Sequence, residues 1–190
     1  MKRRTTGAKL ELPAWAREVL RPDKAYPGDR DKMALAVRLS ELNVRRGTGG
    51  PFGAAVFEDP GGRLLSVGVN AVLVNRCSLA HAEIMALAAA QRRMRRHRLN
   101  GRSGRQVVLA SSAQPCLMCL GAILWAGVDR ILYAARGTDV ERLTGFDEGP
   151  LPRDWRGELR RRGIRVEGVL MRREACRVLR MYREKGGPLY

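Results

Sequence analysis

Two short clusters constrain this chain more than any other feature: "HAE" at 81–83 and "PCLMC" at 115–119. They bring together the residue types that bind transition metals or carry protons, His81, Glu83, Cys116 and Cys119. Zinc takes nitrogen and sulfur donors in a tetrahedral array, and for His81 to share an ion with the two cysteines the chain must fold two distant segments onto one point. Cys116 and Cys119, three residues apart directly after Pro115, fall in the first turn of a predicted helix with both thiols on one face. The end of a helix that favours anions also favours thiolates.

The donor count separates a structural staple from a reactive site, because structural zinc closes four positions with protein whereas catalytic zinc leaves one open. His81, Cys116 and Cys119 make three. His97 lies 16 residues further along the same predicted helix, too distant at about 1.5 Å per residue to join them. Cys77 sits in the loop sequence "NRCSLA" and Cys176 on a C-terminal helix where a small apolar residue would serve equally, so neither is favoured as a fourth ligand. Glu83, two residues from the histidine, is placed for general acid/base work beside a Lewis acid; by itself it would be an ordinary acid at a helix start.

The pattern around the clusters implies a layered α/β domain. Met33, Ala36, Val37, Ser40 and Val44 mark an amphipathic helix; "FGAAVFE" and "LLSVGVNAVLV" flank the turn "DPGGR" and read as a hairpin. A buried helix begins near Ala80, "VVLASSA" reads as a buried strand, "CLMCLGAILWAG" as a second buried helix and "RILYAAR" as the next strand. The tail adds a helix over 153–162, a strand in "IRVEGVL" and a last helix carrying Ala175, Val178, Leu179 and Tyr182. With 190 residues and 45% hydrophobic content, one domain over 1–190 suffices.

No apolar run approaches the roughly 18–20 residues of a membrane span, and "MKRRTTGAKLELPAW" lacks a secretory core, so we expect a cytoplasmic protein without membrane association. Four cysteines in a reducing compartment point to metal or redox chemistry rather than disulfides. The formal charge of +17 makes nucleic acid a candidate partner. Arginines spread over nearly every segment and aromatics at 5% favour solvated helix faces over a dedicated nucleic-acid surface.

In this order the clusters form the H-x-E…P-C-x-x-C signature of zinc deaminases, in which activated water attacks a ring carbon bearing an amino group. From about residue 31 to 190 the chain resembles the cytidine deaminase superfamily. Within it, "PFGAAV" at 51–56, "PCLMCLGAILWA" at 115–126, "GFDEG" at 145–149 and a C-terminal tyrosine resemble the guanine deaminase branch. The resemblance implies a three-layer α/β/α sandwich around a mixed five-stranded sheet, one zinc ion per subunit, and hydrolytic deamination of a free aminopurine, guanine to xanthine first, with aminotriazines such as ammeline also in view.

It further implies Glu148 as a second acid reading the base or assisting proton transfer, with Asp147 able to exchange roles with it. Asn70 would bind the purine edge, Phe52 and Trp125 would pack on its faces, and Ala82 and Tyr190 would complete the pocket. The branch is commonly a domain-swapped homodimer, so the segment 150–190 is expected to close a partner's pocket. Gln114 stands where many relatives have a glutamate, and some guanine deaminases have aspartate at the position of Glu148, which leaves the exact base open. Two rival readings remain at this point: a nucleoside or transfer-RNA adenosine deaminase, and a structural-zinc basic binding module.

Overall fold

The computed structural model describes residues 9–19, 24–101 and 103–190. In chain order the elements are α1 (Ala14–Glu18), α2 (Asp29–Arg45), β1 (Gly53–Asp59), β2 (Arg63–Val69), α3 (Val72–Asn75), α4 (Ala82–Met94), β3 (Gln106–Ala113), α5 (Leu117–Ala126), β4 (Arg130–Ala135), α6 (Gly137–Thr144), α7 (Trp155–Arg161), β5 (Arg165–Glu167) and α8 (Arg172–Glu184). No described helix is long and apolar enough to cross a membrane.

The sheet runs β2-β1-β3-β4-β5. β1 pairs antiparallel with β2 and β3, while β3–β4 and β4–β5 are parallel, so the sheet is mixed and five-stranded. Parallel strands need a crossover, which is why a helix follows β3 and another follows β4. Alternate residues of each strand face opposite layers. Ala55 and Phe57 of β1 join the core under α2, α6 and α8, whereas Ala54 and Val56 join the core under α4, α5 and α7. The three-layer α/β/α sandwich is therefore built from sheet positions apolar on both faces.

Close packing sets the position of α4. A Cβ at Gly68 of β2 would lie 2.1 Å from the Ala82 carbonyl oxygen and 2.5 Å from the Ala86 nitrogen, so only glycine lets the start of α4 approach the sheet this closely. Ser66 of the same strand donates to the Ala86 carbonyl at 2.7 Å. The end of α4 that follows His81 is thus fixed against the sheet.

Several sequence expectations need correction. The apolar run "LLSVGVNAVLV" is not one strand: β2 ends at Val69, the Ala71 nitrogen bonds the Ala80 carbonyl at 2.9 Å, and Val72–Asn75 turns into α3. His97 is not on the helix that follows His81, because that helix stops at Met94 with Arg95 in the left-handed conformation. The helix "CLMCLGAILWAG" is buried on one side only, leaving Leu117 41% and Trp125 79% exposed.

Candidate active site

The metal donors stand at two helix starts. His81 is the N-cap of α4 and Cys116 the N-cap of α5, with Cys119 one turn into α5. An N-cap residue has extended backbone and no helical neighbours ahead of it, so its side chain is free to turn toward the other helix. The Cys116 and Cys119 sulfurs lie 3.5 and 3.6 Å from His81 Nδ1. All three donor atoms fall within 4.8 Å of one another. Bonds of about 2.0 Å to nitrogen and about 2.3 Å to sulfur give a tetrahedral N···S edge of about 3.5 Å, so the donors already have the spacing zinc requires.

Electrostatics agree with that reading. Cys116 is held down to about 4, first by the hydrogen bond with Cys119 and further by His81, against the opposing cost of burial. Cys119 is pushed up, chiefly by the same bond and then by burial. Burial disfavours charge on His81, but the bond to Cys116 and the nearby charge of Glu83 outweigh it and the pKa rises. Two sulfurs and an imidazole crowded in this way share protons among themselves, and a dication is the partner that relieves the crowding.

Glu83 lies in the first turn of α4 and is 6% exposed. Burial, followed by the charge of Cys116, raises its carboxyl pKa. Ser111 of β3 donates to Oε1 at 3.0 Å, while Oε2 receives the Cys119 thiol at 3.4 Å. One oxygen is anchored to the sheet and the other faces the donor cluster, which is the posture of a proton carrier.

The remaining predicted residues divide. Asn70 is 1% exposed at the end of β2, and its carbonyl accepts from Asn43 Nδ2 at 2.8 Å. Glu148 is buried, its carbonyl accepts from the Leu117 nitrogen at 3.1 Å, and burial leads the causes that raise its carboxyl to about 9, with the charges of Cys116 and Glu83 next. Tyr190 reaches the same place from the end of the chain: its hydroxyl bonds the Asn70 side chain and the Gly50 backbone, and Glu148 is near enough to affect its charge. A Cβ at Gly50 would stand 2.1 Å from that hydroxyl. Phe52 packs edge-on against Phe146 at 5.5 Å, and Phe146 meets the Tyr190 ring at 4.9 Å. Ala82 is fully buried beside His81.

Two expected residues point elsewhere in the single chain. Asp147 is exposed and its carboxylate accepts from the Gly149 nitrogen at 2.8 Å, so it cannot exchange roles with buried Glu148. Trp125 lies nine residues beyond the Cys116 cap, about 13 Å along the axis at about 1.5 Å per residue, on the outward side of α5. Gln114 turns its amide oxygen to the Gly137 nitrogen at 3.3 Å, facing the start of α6.

Ser111, Asn43 and Phe146 were not identified from sequence. Serine in a strand and phenylalanine in a loop carry no local mark of function. Asn43 offered only the weak signal of a polar residue near the end of an amphipathic helix.

Comparison with known proteins places this geometry. Residues 28–135 match the family model described as the cytidine and deoxycytidylate deaminase zinc-binding region. Guanine deaminase of Bacillus subtilis (strain 168) is 38% identical over 113 residues, 60% of this chain and 67% of that protein. A solved structure of guanine deaminase from Nitrosomonas europaea aligns with a TM-score of 0.88 at 39% identity, covering 95% of this chain and 98% of that one. A mutant protein solved in complex with 8-azaguanine aligns with a TM-score of 0.89 at 40% identity, covering 94% and 98%. The donor set and the matched region make this chain a zinc-dependent hydrolytic deaminase that belongs to the cytidine and deoxycytidylate deaminase family.

Proposed function

We propose that the chain deaminates a free aminopurine base, guanine, to xanthine and ammonia. The observation that carries this reading is the convergence of Asn70, Glu148 and Tyr190 over the metal donors from segments remote in sequence. A buried amide and a buried, largely protonated carboxyl offer donors and an acceptor to a heterocycle's edge, and a site that buries such groups rejects rings that leave them unpaired. The similarity to guanine deaminases and to a protein that binds 8-azaguanine supports the same base.

Zinc, when held by His81, Cys116 and Cys119, supplies a Lewis acid that eases ionisation of water. The chain's own residues do the rest. Glu83 takes a proton from the attacking water and delivers it to the ring nitrogen beside the amino-bearing carbon. The water oxygen has by then bonded the carbon; its remaining proton passes by the same carboxyl to the amine, the C–N bond breaks as that oxygen becomes the carbonyl, and ammonia leaves. Asn70 and Glu148 orient the ring, Phe52 and Phe146 border it, and Tyr190 narrows the entrance.

The Tyr190 hydroxyl, seated against Asn70 and Gly50, narrows the rim, which argues against a polynucleotide substrate, since a base attached to a chain needs an open rim. Two copies are expected to pair through the outward apolar side of α5, where Leu117 and Trp125 are exposed. The single chain seats its own Tyr190 beside Asn70, and an exchanged tail would seat the partner's in the same place. Mixing a Glu83→Gln chain with a Tyr190→Ala chain separates the two, because intact sites reappear only where tails are exchanged.

The test of function is an ultraviolet assay of the zinc-loaded protein against guanine, guanosine, adenine, cytosine, cytidine and ammeline, with a transfer-RNA inosine assay beside it. Turnover of guanine and not guanosine is expected. Turnover of nucleosides alone, or inosine formation without guanine turnover, would overturn the proposal.

A further inference from the structure

A cavity of about 620 Å3 lies away from the metal donors where α2, α6 and α8 meet. Arg30, Arg142, Arg172, Arg173 and Arg180 line it, with Glu174 as the one acid on its wall. Buried Asp139 beneath it is already committed: Arg172 bonds it at 2.7 and 2.6 Å and Arg142 at 3.4 Å. Five guanidiniums therefore face two carboxylates. Arg30, Arg173 and Arg180 have no ion-pair partner among the described residues.

Several arginines elsewhere among the described residues are matched or occupied, and the unpaired ones, such as Arg160 and Arg177, do not line this cavity. Arg38 and Arg45 pair with Glu41, Arg161 and Arg162 with Glu158, and Arg130 with Asp29 and Glu167. In the 92–98 run, Arg93 and Arg96 donate to backbone carbonyls. Unmatched like charges that converge on one concavity repel one another, and that cost is recovered when an anion enters.

We infer that this cavity binds a chain of linked phosphates, a di- or triphosphate. Three uncompensated guanidiniums match a ligand of about three negative charges, and each planar fork can grip two phosphate oxygens. The volume suits such a group, since small-ligand pockets span about 300–1,000 Å3. The position adds a consequence. α6 runs directly into the Gly145–Glu148 segment and α8 into the tail that ends in Tyr190, so a bound phosphate chain would tie together the two helices that deliver Glu148 and Tyr190.

The experiment is calorimetric titration of the full, zinc-loaded protein with sodium triphosphate, pyrophosphate and ATP at constant ionic strength, with zinc content measured afterwards. One saturable site per chain is expected, weakened at least ten-fold in Arg173→Ser/Arg180→Ser. The charge-matched control Arg160→Ser/Arg177→Ser, whose positions do not line the cavity, should bind as the parent does. Equal affinity for triphosphate and ATP would identify the phosphate chain as sufficient, and tighter ATP binding would identify a nucleotide as the source; both support the inference. Unsaturable binding, equal loss in both double variants, or binding that merely strips zinc would overturn it. Guanine turnover in both variants serves as the check that they fold.

Discussion

Ser111 donates its hydroxyl to Glu83 Oε1 at 3.0 Å, joining a β3 residue to the proposed proton carrier at the start of α4. Both residues are buried, so no water replaces the bond if it is lost. A hydrogen bond to a charged group contributes about 1.5 kcal/mol or more, enough to change a rate about ten-fold. Ser111→Ala should lower kcat by about that factor with KM little changed, and Ser111→Thr should restore most of it. A KM effect without a kcat effect would show that Ser111 does not position Glu83.

Glu83→Gln keeps the shape of the side chain and removes its ability to cycle a proton. Loss of general acid/base catalysis lowers kcat by about 10²–10⁴-fold. Metal analysis of the variant should still find zinc, since His81, Cys116 and Cys119 remain. Undiminished turnover would return the zinc to a structural role.

Gly50→Ala tests the closing tyrosine without touching it. The added methyl would stand 2.1 Å from the Tyr190 hydroxyl and must displace it. KM should rise about ten-fold or more while the thermal midpoint changes little, and Tyr190→Ala should add nothing further in the double variant, as for two changes acting on one contact.

Glu148 supplies a pH signature. Its carboxyl is raised from the usual 4.5 to about 9, chiefly by burial, so the native state holds this proton where the unfolded chain has released it. The stabilisation is complete below pH 4.5 and is lost as pH rises toward 9. Thermal midpoints measured between pH 5 and 9 should decline with a slope that flattens in Glu148→Gln. An identical slope in the variant would assign the decline to other groups.

Metal removal should act on stability as well as turnover. His81 and Cys116 cap two different helices, so a bound ion would join them, and a ligand at about 100 times its Kd contributes about 2.7 kcal/mol to the folded state. Chelation should abolish activity and lower the thermal midpoint by several degrees, and added zinc should restore both.

The reactive centre was legible in sequence because its residues cluster locally: the H-x-E and P-C-x-x-C spacings survive without knowledge of the fold, and the strand and helix alternation carries them to the right elements. Contacts made across the fold were not legible. Ser111 reads as one more small residue in "VVLASSA", yet its partner is 28 positions earlier. The end of β2 was hidden because "VNAVLV" stays apolar where the backbone leaves the sheet to bond Ala80. α6 was missed for a different reason: it spans only eight residues, and its start depends on Asp139 reaching back to the Arg136 nitrogen at 3.0 Å.

His81 and Cys116 are caps rather than interior helix residues, and the segments proposed to read the base, the end of β2, the loop at 145–149 and the tail, contribute no metal donor. In the proposed reading, reaction and recognition are carried by separable parts of the chain. A library confined to Asn70, Phe146, Glu148 and the last residues could be searched for deaminases of new heterocycles with the hydrolytic centre left as it is.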